Sequence, residues 1–151
     1  MPSLALNKDA RYRYDLLETF TAGLILTGQE VKSVKLGQVS LKGSYISWRQ
    51  HKGISRLYLV GAHVSAYKYA TNPDFNPLRE RELLLNKSEI TRLLGKTAEK
   101  GLTLIPLKLY TERSFVKLEF ALARGKKLHD KRESLKKKAI DRDLKRTLKI
   151  K

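Results

Sequence analysis

The stretch Phe115-Val116-Lys117-Leu118-Glu119-Phe120-Ala121-Leu122-Ala123 decides the fold. Val116, Leu118, Phe120 and Leu122 alternate with Lys117, Glu119 and Ala121. Successive side chains of a strand point to opposite faces, so this period of two puts an aliphatic set on one face and the charges on the other. Just upstream, Leu102 to Tyr110 forms the partner strand of a hairpin. It alternates more weakly, with Ile105, Leu107 and Leu109 expected on one face. Pro106 falls in its middle; proline cannot donate to a ladder, so an edge or a bulge is expected there.

Outward from this hairpin the chain stays mostly extended. Tyr14 to Leu26 is rich in β-branched, aromatic and aliphatic residues. Val39 to Trp48 and Ser55 to Val64 flank the turn signal Lys52-Gly53 and read as a second hairpin. His63 sits within that apolar pattern, where a structural histidine is expected rather than a ligand. Gln29 to Leu36 reads as a short helix closed by Gly37. Asn86-Lys87-Ser88-Glu89 has the form of a capping box ahead of Ile90, Leu93 and Leu94, and Lys100-Gly101 ends that helix. Tyr69 to Glu82, with Asn72-Pro73 and Asn76-Pro77, reads as a loop. Five or six short antiparallel strands with a late helix predict a mainly β fold with flanking helices. An OB-type antiparallel barrel over residues 1–123 fits best.

Charge divides the chain differently. Its 151 residues carry 32 Lys and Arg against 15 Asp and Glu, a net of +17. Residues 124–151 hold 13 basic and 4 acidic side chains, a net of +9, and the first 123 hold 19 and 11, a net of +8. Half the excess therefore sits in a basic C-terminal tail without proline or aromatic residues. Leu135, Ala139 or Ile140, Leu144 and Leu148 recur there at helical spacing. A segment so charged is expected to be disordered when free and to become helical on RNA.

Several classes of function are excluded or disfavoured. Cysteine is absent, which removes disulfides, thiol nucleophiles and Cys-ligated zinc. No apolar run approaches the roughly 18 residues of a spanning helix. The Met1 to Leu6 stretch is too short for a signal peptide. A cytoplasmic protein with no membrane partner is expected. His51, His63 and His129 match no metal-binding spacing, and there is no nucleophile elbow, P-loop or carboxylate pair. No catalytic residue, metal or cofactor is assigned, and the protein is read as a non-enzyme. A polyanion is the direct implication of the charge, and its affinity should fall steeply with salt. Of the aromatic residues Tyr12, Tyr14, Tyr45, Trp48, Tyr58, Tyr67, Tyr69 and Tyr110, most are expected to pack in the barrel. Tyr67 and Tyr69, at the edge of the loop, are expected to be the more exposed.

Five strings then come in a fixed order. They are Asn7-Lys8-Asp9-Ala10-Arg11, the segment Ala22 to Ser33 containing Gly28-Gln29-Glu30-Val31-Lys32-Ser33, Asn76-Pro77-Leu78-Arg79-Glu80-Arg81 with Leu83-Leu84-Leu85, Gly101 to Leu107 with Leu109-Tyr110, and Ala123 to Arg132. In order and spacing they resemble the SmpB family, the SsrA-binding proteins of bacterial trans-translation, from Asn7 to about Lys138. The resemblance implies an OB-type barrel that binds the tRNA-like domain of transfer-messenger RNA (tmRNA) and escorts it to stalled ribosomes. It also implies a tail that enters the empty mRNA channel near small-subunit rRNA at the decoding centre. A monomer is expected. The competing reading is a generic OB-type translation or ribosomal protein that binds rRNA directly.

Residue roles implied by the resemblance fall in two groups. Glu30 matches the family's RNA-binding glutamate, with Asn7, Arg11, Lys32, Lys35, Arg79 and Arg81 as further RNA-binding candidates. An acid on a basic surface can accept from base amino groups or a 2′-hydroxyl, or hold a neighbouring cation in place. As a helix N-terminal charge it would have no function beyond favouring the dipole. On the RNA reading, Glu30→Ala weakens binding and leaves the fold intact. Gly125, Lys126, Lys127, His129, Asp130, Lys131 and Arg132 match the junction where the family's tail begins. There Gly125 would serve as a pivot, His129 would stack on a base, and Asp130 would cap the tail helix or form a salt bridge with a Lys or Arg three or four residues on. Thr21, Glu82, Tyr12-Arg13 and Asn86 depart from the usual family residues.

Overall fold

The structure, a computed structural model, describes residues 3–69, 73–99 and 101–125. Among the described residues nine strands and three helices follow one another. They are β1 (Ser3–Leu6), α1 (Ala10–Arg13), β2 (Tyr14–Leu24), α2 (Gly28–Lys35), β3 (Val39–Ser40), β4 (Tyr45–His51), β5 (Ile54–Val60), β6 (His63–Val64), β7 (Arg81–Leu84), α3 (Lys87–Thr97), β8 (Leu102–Glu112) and β9 (Phe115–Gly125). Seven strands form one antiparallel sheet in the order β1-β8-β9-β2-β7-β5-β4, and β3 pairs with β6 apart from it. The sheet bends far enough for β4 to approach β8. Among the described residues its two edge strands share no ladder, so this OB-like sheet is open rather than closed.

The β8–β9 hairpin is the spine. Val116, Leu118, Phe120 and Leu122 are all buried, as their alternation requires. They meet Leu57 and Leu59 of β5, Leu83 of β7, Val34 of α2 and Leu93 of α3 in the main core. Pro106 is a bulge and not an edge: β8 lies between β1 and β9, and its register to β9 shifts between Pro106 and Lys108. One extra residue reverses the facing of everything beyond it. Leu104 and Leu109 therefore both enter the main core, while Ile105 packs on the other side against Ala10 and Ala123, with Leu107 beside it. The expectation that Ile105, Leu107 and Leu109 share a face fails for that reason. The outer face of β9 is likewise not all charge, since α1 covers it there.

The second hairpin is subdivided. The expected strands 39–48 and 55–64 each break, at Leu41 to Ser44 and at Gly61. Gly61 has φ +80°, and a Cβ there would lie 3.4 Å from the carbonyl oxygen of Gly43, so the two breaks pack on each other and need glycine. His63 is exposed in β6 rather than buried in an apolar strand. Of the elements absent from the expectation, β1, α1 and β7 are four residues each, too short to show a period. β7 begins inside the expected loop 69–82. The expected strand 14–26 stops at Leu24, and β9 runs two residues past the expected domain boundary at 123. In α3, Asn86 is the N-cap, its side chain accepting from the Glu89 N–H at 2.9 Å.

Candidate nucleic-acid interface

The site grows from the turn that follows β2. Thr27 caps α2: its hydroxyl accepts from the Glu30 N–H at 3.2 Å. In return the Thr27 N–H donates to Glu30 Oε1 at 2.9 Å. This capping box fixes the first turn of α2 and points the Glu30 carboxylate back toward the chain entering the helix. Two residues apart on the far side of the loop, Arg79 and Arg81 converge on the same carboxylate. A strand sends alternate side chains the same way, which lets this pair act together as β7 begins.

The geometry is dense. Arg81 Nε donates to Glu30 Oε2 at 2.6 Å, and Arg81 also donates to the carbonyls of Ala62 (2.9 Å) and Pro77 (3.2 Å). Arg79 grips both oxygens, with Nη2 to Oε1 at 2.6 Å and Nε to Oε2 at 3.3 Å, and Nη2 also reaches the Ile25 carbonyl at 3.2 Å. Glu30 and Arg81 are sealed, with side chains 1% and 0% exposed, whereas Arg79 is 38% exposed. Burial alone pushes the Glu30 carboxyl up. The bonds from Arg79 and the Thr27 N–H, with the Arg81 charge, outweigh it and hold Glu30 below the usual carboxylate value. Burial lowers Arg81 from its ordinary value, against the pull of Glu30.

This arrangement corrects the expected role of Glu30. A carboxylate offers about four acceptor sites. Thr27 and Arg79 occupy those of Oε1, and Arg79 and Arg81 those of Oε2. Glu30 is therefore not a surface acid with acceptors to spare. Of the readings left open by the sequence, it does two at once: it caps a helix and it holds cations in place. Arg81, placed among the RNA-binding candidates, is also off the surface, because its guanidinium is spent on Glu30 and two carbonyls.

The other candidates divide by location. Lys32 and Lys35 are exposed on α2, and Arg79, which holds Glu30 of the same helix, is partly exposed. Asn7 is half-buried about the β8 bulge, where its Nδ2 donates to the Pro106 carbonyl at 2.8 Å and its N–H to Leu107 at 2.8 Å. Asn7 thus holds the bulge, and Arg11 is exposed on α1 near it. Gly125 ends β9, while Lys126, Lys127, His129, Asp130, Lys131 and Arg132 lie outside the described residues. Tyr69 is exposed as expected, and Tyr67 is half-buried beneath Lys32. Tyr45, expected in the barrel, is half exposed. Lys68 was absent from the sequence candidates although it adjoins Tyr69 in the chain; adjacency does not tell that its ammonium lies over the Tyr69 ring. Among the described residues no three His, Asp or Glu side chains gather to hold a metal ion, and no helix is long and apolar enough to cross a membrane.

A sequence model of the SmpB protein family matches residues 4–150. The chain belongs to the SmpB family. The match passes beyond Lys138, where the recognisable strings end, and takes in the basic tail. An SsrA-binding protein of Syntrophobacter fumaroxidans is 52% identical over 140 residues, covering 93% of this chain and 84% of that one. Those of Aquifex aeolicus and Trichormus variabilis are 50% and 49% identical, covering 97% and 95% of this chain and 91% and 90% of theirs. A solved SmpB chain, described as "tmRNA-SmpB: a journey to the center of the bacterial ribosome", is 43% identical with a TM-score of 0.65, covering 86% of this chain and 92% of that one. In this SmpB-family chain the Gly28-to-Ser33 string forms the body of α2, and the Asn76-to-Arg81 string supplies both arginines that Glu30 holds.

Proposed function

We propose that this chain is a non-enzymatic, cytoplasmic RNA-binding factor. Its OB-like domain binds the tRNA-like domain of tmRNA and delivers it to stalled ribosomes for trans-translation. Residues 124–151 then occupy the empty mRNA channel near the decoding centre, with His129 stacking on rRNA. The observation that carries this reading is the family match across 4–150, with relatives of about half identity that are SsrA-binding proteins. The net charge of +17 supplies the attraction to RNA. On that OB-like domain, Lys32, Lys35 and Arg79 meet RNA, and Glu30 acts through Arg79 as a positioning residue. An anchored guanidinium loses less freedom on binding a phosphate than a free one.

A gel shift tests this. The chain should bind the tRNA-like domain much more tightly than an unrelated structured RNA of equal length. Equal affinities would favour a generic rRNA-binding protein instead. Removing residues 132–151 should spare that binding and abolish tagging of stalled chains; loss of RNA binding on truncation would overturn the division between OB-like domain and tail.

A further inference from the structure

Beside the Glu30 network lies a second cluster that the ion pairs do not use. Tyr67 and Tyr69 meet edge to face, with ring centroids 5.5 Å apart at 67°. The Lys32 ammonium lies 5.2 Å from the Tyr67 ring centre and the Lys68 ammonium 5.5 Å from that of Tyr69. Tyr69 is 74% exposed. A single exposed tyrosine is ordinary. This one differs in being held: its edge contact sets the ring against Tyr67, and Tyr67 is held in turn by Lys32 of α2.

The backbone beneath is tied down as well. The Ser65 N–H donates to the Gln38 carbonyl, just past α2, at 3.0 Å. The Val64 N–H donates to the Pro77 carbonyl at 3.0 Å, the same oxygen that Arg81 reaches. The tyrosine segment, α2 and the arginine loop are thus one unit. It presents the exposed Tyr69 ring with the Lys68 ammonium over it and the Lys32 ammonium over the Tyr67 ring that backs it. A ligand that matches has a flat π face and negative charge beside it. An unpaired nucleotide has both, and stacking tolerates any base because every base has such a face.

We propose that Tyr69, backed by Tyr67, is a stacking platform for one unpaired base on the ring face away from Lys68, whose neighbouring phosphates meet Lys68 and, on the Tyr67 side, Lys32. The inference rests on the RNA-binding function proposed above. The base comes from the tRNA-like domain or from rRNA, and the test separates these sources. Filter binding of the full chain, its Tyr69→Ala and its Tyr69→Phe forms would be measured against the tRNA-like domain and against small ribosomal subunits, over a range of salt.

Tyr69→Ala should weaken binding about tenfold or more in one of the two arms, with the salt slope unchanged, since stacking neutralises no phosphate. Tyr69→Phe should stay within about twofold of wild type, since the ring and not the hydroxyl does the stacking. Lys32→Gln should lower the salt slope by about one. Wild-type affinity of Tyr69→Ala in both arms would overturn the platform, as would a Tyr69→Phe form as weak as Tyr69→Ala. Failure of the unsubstituted chain to bind the tRNA-like domain is a different result, which overturns the functional reading and the platform with it.

Discussion

Glu30 and Glu18 each hold two cations, in opposite surroundings. Glu30 sits between Arg79 and Arg81 with almost no exposure. Glu18 on β2 meets Arg92 at 2.6 Å and Lys96 of α3, but its side chain is 32% exposed and Arg92 is 58% exposed. The acid-and-two-bases chemistry is shared, and the consequences are not. In water, two long side chains give up freedom for an attraction that solvent screens, so such a pair contributes little. In the interior, desolvation nearly cancels the attraction, yet removing one partner leaves a bare charge with nothing to stabilise it. The exposed cluster should therefore cost little to break, and the buried one should fail as a unit.

The largest effect is expected from Glu30→Ala. It strands the fully buried Arg81, and losing one member of a buried pair costs about 3–5 kcal/mol. Against a total stability of about 5–15 kcal/mol this is a large share. Urea denaturation should show the loss, so this substitution is expected to weaken the fold as well as RNA binding. A midpoint equal to wild type would show the network to be ornamental. The double form Glu30→Leu with Arg81→Met removes both charges and should recover part of the stability, short of what the Thr27 N–H and the Ala62 carbonyl lose with their partners. It should still bind RNA weakly, because Arg79 has lost its anchor. Recovery of stability and RNA binding together would disprove the positioning role.

A smaller effect is expected from acid. The Glu30 carboxyl is held below its ordinary value of 4.5 in the fold. A group depressed in this way contributes stability that is fully present above its unfolded value and is lost as pH falls through its folded value. Stability should therefore be level with respect to Glu30 near neutrality and decline below about pH 4.5. Thermal melts of Glu30→Gln should start lower at neutral pH and decline less steeply over that acid window. Parallel slopes for the two proteins would place the titrating group elsewhere.

The two clusters also differ in how far the sequence revealed them. Strong periods were legible: the alternation from Val116 to Leu122 fixed β9, and the flanking turn signals fixed α2 to within one residue. The Glu30 string was legible as a site only through its resemblance to a family. Its burial was not, because that depends on Arg81, 51 residues away, emerging from a segment that reads as loop. A four-residue strand has no period to detect, and it exists because β2 and β5 offer it edges on both sides. The bulge at Pro106 was foreseen in kind, but its effect on facing was not: a register shift is a property of two strands, and Asn7, 99 residues from Pro106, helps to hold it.

The mildest test sharpens the exposed half of the comparison. Arg92 and Lys96 lie over the Phe20 ring at 5.8 and 6.0 Å while their charged ends meet Glu18. Long basic side chains can cover apolar surface with their stems and keep their heads in water. If packing over Phe20 holds the two stems, they remain when the acid is removed, and both cations stay solvated. Glu18→Ala should then leave the urea midpoint at high salt where wild type has it. At low salt it should lower the midpoint slightly, because screening acts on exposed charges. The Lys96 bond holds the Glu18 carboxyl below its ordinary value, so the small loss should vanish in acid, where wild type no longer carries that charge. A loss as large as that of Glu30→Ala, and insensitive to salt, would mean that exposure does not separate these clusters and that their shared geometry does.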